Sequence, residues 1–213
     1  DLKITCVYDM NGDEFKSSKT YDKVVDFKVG TIKSTSLTIT NPDVSGSTVE
    51  DDLLIGGDME LDEPLVVPSG DVTITLEDGA KLTNSASNPN SALIVVGEGA
   101  TLTIDGSGSI ETIVPEAQAT ALSATRATFN TAFPIVVNGT LRIKGGSFSL
   151  NSYATSWLNC GIYVGPNGKL IVEDGTFRSP KGSFIFGHEL GNRPTIEIVG
   201  GRFEGYDPSD NDF

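Results

Sequence analysis

A short pattern that recurs four times along the chain limits the folds available to it. The pattern runs apolar-x-apolar, then one or more intervening residues, a glycine, one further residue and an aliphatic or aromatic residue. Its copies cover residues 102–110, 141–148, 170–177 and 196–203. The leading residues, Leu102, Leu141, Leu170 and Ile196, are 39, 29 and 26 residues apart. Self-similarity over such distances is typical of solenoids and propellers.

A second short apolar segment precedes each copy, so the repeating unit is longer than the pattern itself. These segments are Ile94–Val96, Ile135–Val137, Ile162–Val164 and Phe184–Phe186. A weaker, earlier unit comprises Leu65–Val67, Val72–Leu76 and Ala80–Leu82. Each unit therefore holds three short strands joined by polar turns, and alternate side chains along a strand lie on opposite faces.

Three strands per unit predict an all-β fold: a right-handed single-stranded parallel β-helix of about five rungs, with three strands per rung. Each strand then pairs with its counterpart one turn along, and the four leading residues stack in one interior. The glycine before each aromatic or aliphatic residue fits a bend that needs positive φ or has no room for a Cβ. A propeller is the main alternative, but its blades have four strands. A β-sandwich would not repeat one motif.

The recurring units divide the chain into residues 1–50, which lack the pattern, and residues 51–213, the predicted parallel β-helix. Leu2–Tyr8 and Ser36–Thr40 alternate like half-buried strands. Because the end of a solenoid exposes apolar side chains that need a cover, residues 1–50 are predicted to form an N-terminal β cap. A separate small β segment is the alternative.

Charge and composition exclude several classes of partner. The formal net charge is −14, and a surface this negative repels phosphate backbones, so no nucleic-acid partner is expected. The apolar runs are shorter than the roughly 20 residues of a membrane span, so no membrane-spanning segment is expected. Cys6 and Cys160 are far apart in sequence and are predicted as two separate buried thiols, although a contact between them stays open.

Two long excursions interrupt the repeat at the same point, after the third strand of a unit. One runs from about Glu111 to Phe133 and the other from about Asn151 to Cys160. Because they leave equivalent corners of adjacent turns, we expect them to lie side by side, and loops on a rigid scaffold are where recognition usually occurs. The predicted ligand-binding residues, suited to sugar rings, are Trp157, Tyr153, Asn151 and Arg126. The alternative is that the loop aromatics pack onto the helix.

An enzyme that cleaves acidic polysaccharides would carry two neighbouring carboxylates at outward positions that stack from one turn to the next. Asp105, Lys144 and Glu173 occupy equivalent positions, so a lysine separates the two carboxylates. We interpret this column as a surface charge ladder and not as the paired carboxylates of a glycosidase. Residues 142–144 and 187–189 match two motifs of polygalacturonase-like enzymes, but they occur in the reverse order, so we interpret both as chance matches. Arg142 and His188 are the residues to substitute in a test for lyase activity.

No cofactor and no metal site are predicted. His188 is the single histidine of the chain, so a site with several histidine ligands is excluded. Asp207, Asp210 and Asp212 form the densest acidic run, but their spacing is not that of a calcium loop. We interpret that run as a solvated tail.

The strand motifs resemble those of the pectin-lyase-like β-helix superfamily. Residues 72–76, 80–83 and 99–106 carry the resemblance, which spans about residues 52–210. Residues 199–209 are similar to a Gly-Gly-Thr-Phe-x-x-Phe-Asp-Pro segment of uncharacterised surface and phage β-helix proteins of gut Bacteroidetes, with Arg202 in place of the threonine. The resemblance implies an extracellular location, on a bacterial cell surface or a phage virion, and no catalytic residues to carry over.

We therefore expect a non-catalytic extracellular β-helix module, adhesin-like or fibre-like, that contacts glycans or a cell-surface partner through its side loops. The chain is not expected to be an enzyme. Two alternatives are a polysaccharide lyase or glycoside hydrolase acting on acidic polysaccharide, and a purely structural spacer domain. The oligomeric state is open, and a trimer would suit a fibre.

Overall fold

All regular structure in the described parts of the chain is β-strand. The computed structural model describes residues 2–10, 13–21, 45–84, 92–113, 134–151, 161–179, 185–187 and 192–209. The prediction of an all-β chain is confirmed for these ranges. Within them, no helix has the length and apolar character needed to cross a membrane.

The N-terminal strands form an antiparallel hairpin. Strand β1 (Leu2–Met10) pairs with β2 (Asp13–Tyr21), with Leu2 opposite Tyr21 and Met10 opposite Asp13. This two-stranded sheet is separate from the sheets that follow. The segment Ser36–Thr40, predicted as a strand, lies outside the described residues.

The other described strands form three parallel sheets, which the chain visits in the fixed order sheet 1, sheet 2, sheet 3. Sheet 1 contains β3 (Leu53–Ile55), β6 (Gly70–Leu76), β9 (Ala100–Gly106), β12 (Thr140–Ile143), β15 (Lys169–Val172) and β18 (Thr195–Ile198). Sheet 2 contains β4 (Met59–Leu61), β7 (Lys81–Asn84), β10 (Ser109–Ile113), β13 (Ser147–Asn151), β16 (Thr176–Arg178) and β19 (Arg202–Glu204). Sheet 3 contains β5 (Leu65–Val67), β8 (Ile94–Val96), β11 (Ile135–Val137), β14 (Ile162–Val164) and β17 (Ile185–Gly187). Each strand pairs with the strand three places along the chain, an arrangement consistent with a parallel β-helix.

Parallel pairing begins a few residues before β3. Thr48 forms a parallel bridge with Val66 of β5. The Val49 N–H donates to the Val66 carbonyl oxygen at 2.8 Å, and the Val66 N–H donates to the Ser47 carbonyl oxygen at 3.0 Å. The Val49 side chain is buried in the same core as the strands that follow.

The register confirms the central prediction from the repeat. Leu141 lies opposite Leu102 on one side and Leu170 on the other, and Leu170 lies opposite Ile196. The three leucines are fully buried, and Ile196 is partly buried against the same apolar core. Because inward and outward side chains alternate along each strand, this register stacks like on like from one turn to the next.

The glycine prediction is also confirmed. Gly146, Gly175 and Gly201, two residues before the stacked phenylalanines, have φ angles of +95°, +120° and +99°. At the equivalent Gly108, a Cβ would lie 2.6 Å from the carbonyl oxygen of Glu77. The chain thus turns from sheet 1 to sheet 2 at positions that a side chain would strain or obstruct.

A buried hydroxyl interrupts the apolar interior of sheet 2. Thr112 is 6% exposed, and its Oγ1 has no hydrogen-bond partner in the part of the chain that the structure describes. An unpaired buried hydroxyl costs free energy, and valine has nearly the same shape as threonine. We expect Thr112→Val to raise the free energy of unfolding by about 1 kcal/mol, measured by urea denaturation.

The matched control is Thr83→Val on the neighbouring strand β7. Thr83 is half-buried on the outer face, and its Oγ1 donates to the Met59 carbonyl oxygen at 3.5 Å. Because this hydroxyl has solvent access, its replacement should change the free energy of unfolding by less than about 0.5 kcal/mol. A loss of stability in Thr112→Val would show that the hydroxyl is satisfied.

Candidate functional site

At the centre of sheet 3, the outward side chains of β11 and β14 are buried. Val136 and Tyr163 lie opposite each other on β11 and β14, and both are buried in a small cluster with Ala92, against which Val95 packs. Burial raises the pKa of the Tyr163 hydroxyl above its ordinary value. The buried side chains of this cluster are therefore not accessible to a partner.

The outer surface of sheet 2 is polar and accessible, and we call it the polar face. Its described outward side chains all carry a polar or charged group, and each is at least partly exposed. They are Glu60, Lys81, Thr83, Ser109, Glu111, Ser147, Ser149, Thr176, Arg178, Arg202 and Glu204. The intervening inward residues, such as Leu82, Ile110 and Phe177, are buried, which establishes the direction of the alternation.

Parallel pairing orders the polar face into two rows that run across the strands. One row runs from Glu60 through Thr83, Glu111, Ser149 and Arg178 to Glu204. The other runs from Lys81 through Ser109, Ser147 and Thr176 to Arg202. Neighbours in a row are separated by about 4.8 Å, the distance between paired strands. The face is thus a regular array of hydrogen-bond donors and acceptors.

Ion pairs join five of the six charged residues that the polar face contains. Lys81 Nζ lies 3.2 Å from Glu111 Oε2, and Arg202 Nε lies 2.9 Å from Glu204 Oε1. Arg178 Nε donates to the other oxygen of the Glu204 carboxylate. These side chains are between about a third and three quarters exposed, so each pair contributes little to stability, and its role is to orient the groups.

The pKa of the Glu204 carboxyl lies below the ordinary value of a glutamate. The hydrogen bond from Arg178 is the largest cause that lowers the pKa of this carboxyl, followed by the charges of Arg178 and Arg202. A pKa depressed on folding stabilises the protein above the unfolded pKa, and that contribution is lost as the pH falls through the folded pKa. We expect Arg178→Gln to raise the pKa of Glu204 towards its ordinary value in an NMR titration.

The control for this titration is Arg142→Gln, which removes an arginine from sheet 1 and leaves the surroundings of Glu204 intact. It should leave the Glu204 titration curve unchanged. Equal shifts in both variants would mean that net charge, and not the local hydrogen bond, sets the pKa.

The charge ladder expected on sheet 1 pairs differently from the prediction. Lys144 and Glu173 do follow paired strands, since the Lys144 N–H donates to Ile104 O and the Glu173 N–H donates to Ile143 O. The Glu173 carboxylate, however, accepts a hydrogen bond from Arg142 Nη1. The carboxylate of Asp105 accepts from the N–H of Gly106 at 2.7 Å. A diagonal neighbour replaces the expected lysine because the long arginine side chain reaches the next turn.

Three of the four ligand-binding residues predicted from the sequence, Trp157, Tyr153 and Arg126, lie outside the described residues. The fourth, Asn151, ends strand β13, and its main chain lies opposite Ile113 at the end of β10. The returning strands β11 and β14 are also paired, and the Ile135 N–H donates to the Gly161 carbonyl oxygen at 3.1 Å. The prediction that both excursions leave equivalent corners of adjacent turns is therefore confirmed, and the strands on which they rejoin the sheets are paired as well.

The polar face itself did not emerge from the sequence as a site. Lys81 and Glu111 are 30 residues apart, and Arg178 and Glu204 are 26 residues apart, so no local motif connects them. A signal was present in the third strand of each later unit, where the first two outward positions of the strand hold polar residues. That signal becomes spatial only when the register between turns is known.

Metal-ligating residues are dispersed in the described ranges, where no three of the histidines, cysteines, aspartates and glutamates are grouped to hold an ion. Asp207 accepts hydrogen bonds from the N–H of Ser209 at 2.9 Å and from its hydroxyl at 2.7 Å, and these bonds lower the pKa of its carboxyl. His188, Asp210, Asp212, Cys160 and the side chain of Cys6 lie outside the description.

Comparison with known proteins adds no relative to this arrangement. No protein-family model, curated protein or solved structure matches the chain.

Proposed function

We propose that the chain is a non-catalytic extracellular module, adhesin-like or fibre-like, that contacts glycans through its side loops. The scaffold of this proposal is a right-handed parallel β-helix of about five rungs with an N-terminal β cap, of the pectin-lyase-like type. Its location would be a bacterial cell surface or a phage virion, and a trimer would suit a fibre.

One observation carries the proposal: the pairing of Ile113 with Asn151. It places the starts of two long excursions side by side at the end of the polar face. A rigid sheet of hydroxyl, carboxylate and guanidinium groups offers donors and acceptors for sugar hydroxyls. Loop aromatics such as Trp157 and Tyr153 offer apolar faces with a polar edge, which suit the flat sides of sugar rings.

Burial at the start of the parallel sheets supports the cap. Ile55 on β3 and Leu61 on β4 are each only 1% exposed, although both lie on the first described strand of their sheets. The inward side chains at an uncovered end of a solenoid would be accessible to solvent. Residues 1–50 are the nearest part of the chain to supply this cover.

The ion pair on sheet 1 supports a non-catalytic reading. Lyases of this shape use an arginine or a lysine as the base, and the Arg142 guanidinium is bonded to the Glu173 carboxylate. This ion pair favours a structural role for Arg142 on sheet 1 over a role in β-elimination.

The test is a glycan array followed by titration with the best-bound oligosaccharide. Trp157→Ala should weaken binding by tenfold or more, in the range of a hot-spot aromatic. Trp157→Phe, which keeps an aromatic face, should weaken it less, and the distant surface variant Val199→Ala should bind as the parent does. Asn151→Ala, Tyr153→Ala and Arg126→Ala test the other loop residues.

Three outcomes would overturn the proposal. Unsaturated products released from uronate polymers, and abolished by Arg142→Ala or His188→Ala, would make the chain a lyase. An array without any bound glycan would leave a structural spacer. Binding that survives all four loop substitutions would show that the side loops are not the surface that contacts glycans.

A further inference from the structure

The two ends of the stacked sheets are unlike. At the first strands, Ile55 and Leu61 are almost fully buried, and Leu53 is partly buried. At the other end, β18 and β19 are the last described strands of sheets 1 and 2, and their inward side chains, Ile196, Ile198 and Phe203, are only partly buried. Val199, between these strands, is 66% exposed. Within the described chain, this end presents apolar side chains and a strand edge.

The main-chain N–H and C=O groups of Phe203 in β19 point towards that edge. The Arg202 N–H donates to Gly175 O at 2.8 Å, and Glu204 O accepts from the Ser179 N–H at 3.2 Å. Arg202 and Glu204 therefore direct their main-chain groups to the side of β16. Successive residues of a strand point these groups to opposite sides, so the N–H and C=O of Phe203 point away from the sheet.

The side chains around Phe203 are complementary to themselves. Arg202 and Glu204 flank it on the outer face, with exposures of 75% and 30% for their side chains. If a second β19 lies antiparallel with Phe203 opposite Phe203, each Arg202 faces the Glu204 of the other copy. The Phe203 pair would exchange both main-chain hydrogen bonds, and the flanking positions are non-hydrogen-bonded pairs, where side chains approach most closely.

The inward side chains at this end are also complementary to those of a second copy. The Phe148, Phe177 and Phe203 rings form a stack with centroids 4.9 Å apart at each step, and Tyr206 contacts Phe203 only edge-on at 6.4 Å. A second Phe203 across a two-fold axis would extend this stack and bury the half-exposed ring. Exposed sheet edges of this kind are templates for further strands.

We propose that β19 is a homodimerisation edge, on which a second copy of the chain docks antiparallel about a two-fold axis through Phe203. The contact is isologous, so it closes at two copies and does not propagate. It joins the two molecules end to end and doubles the length of the particle. The proposal does not depend on glycan binding.

The test exchanges the charges and measures mass by sedimentation equilibrium at 150 mM salt. Arg202→Glu places glutamate opposite Glu204, and Glu204→Arg places arginine opposite Arg202, so each variant alone should be monomeric where the parent dimerises. Like charges directly opposite are destabilising in antiparallel pairs, and each homodimer contains two such contacts. We expect the dimer dissociation constant of each variant to rise tenfold or more. An equimolar mixture restores both opposite-charge contacts and should form a heterodimer.

Lys144→Glu is the control, because it makes the same change of net charge as Arg202→Glu. Lys144 lies in the turn between β12 and β13, away from the edge, so this variant should leave the dimer intact. Since Glu204→Arg also removes the partner of Arg178, circular dichroism must show that it is folded. If Glu204→Arg is not folded, the Arg202→Glu variant alone tests the proposal: its dimer should be lost at 150 mM salt and recovered at 1 M salt.

A monomeric parent overturns the proposal, and so does a dimer whose dissociation constant is unchanged by Arg202→Glu. Small-angle scattering of the parent should show a particle about twice as long as the Arg202→Glu monomer, and a side-by-side dimer would also overturn it.

Discussion

Replacing Gly106 with alanine is expected to lower the free energy of unfolding by about 3 kcal/mol or more. A Cβ built on Gly106 would lie 2.0 Å from the carbonyl oxygen of Leu76, on the neighbouring strand β6. The backbone also has a φ angle of +101°, which side-chain-bearing residues rarely adopt. Gly106 and Leu76 both belong to paired strands, β9 and β6, so neither residue can move without breaking hydrogen bonds between the strands. Urea denaturation of the two proteins measures the difference.

Two other glycines separate the steric cost from the conformational one. Gly99 has a φ angle of +77° and open space around its Cβ position, so Gly99→Ala should cost only the about 1–2 kcal/mol of left-handed backbone. Gly57 has open space and no positive φ, so Gly57→Ala should cost less than about 0.5 kcal/mol. Equal losses in Gly106→Ala and Gly99→Ala would show that the neighbouring turns are not as close as the structure places them.

Replacing Phe177 with alanine is expected to cost about 3–5 kcal/mol of folding stability, the range for a fully buried phenylalanine. Its ring is 1% exposed and stacks on Phe148 and Phe203 at 4.9 Å on each side. The flanking rings are fixed by their own strands and cannot close the gap. The variant therefore loses both the transfer free energy of the ring and the contacts around the resulting cavity. Thermal and urea denaturation provide the measurement.

The matched control is Phe203→Ala at the end of the same stack. Phe203 is half-buried, so its removal should cost clearly less than that of Phe177, about half as much. The comparison is made at a concentration where the chain is monomeric, so that an association through β19 does not contribute. A larger loss for Phe203→Ala would contradict the position of Phe177 in the interior of the stack.

The recurrence of one strand pattern along the chain was sufficient to predict the parallel sheets. Leu141, Arg142 and Ile143 alternate with the period of a strand, and the same alternation at 102, 170 and 196 makes stacking of the apolar positions favourable in one register. A slip by one residue would bring Arg142 into the core. The glycine at 146, 175 and 201 marks the turn to the next sheet, because few other residues adopt a positive φ there.

The candidate site was predictable only where it depends on the repeat. Asn151 and the start of the other excursion were expected to lie together because both follow the third strand of a unit, and the pairing with Ile113 bears this out. The polar face was missed. Its rows join residues that lie 23 to 38 positions apart in the sequence, and the lengths of the intervening loops differ from turn to turn.

What the sequence by itself determined is the local order of this protein: which side chains turn inward, where the chain bends, and that equivalent strands pair. These follow from alternation and backbone sterics, which act between near neighbours in sequence. Only the tertiary structure decided that Glu173 bonds Arg142 and not Lys144, that Lys81 meets Glu111, and that β19 is the last described strand of sheet 2. Those contacts join different turns, where the reach of a long side chain and the position of the last strand select among several neighbours.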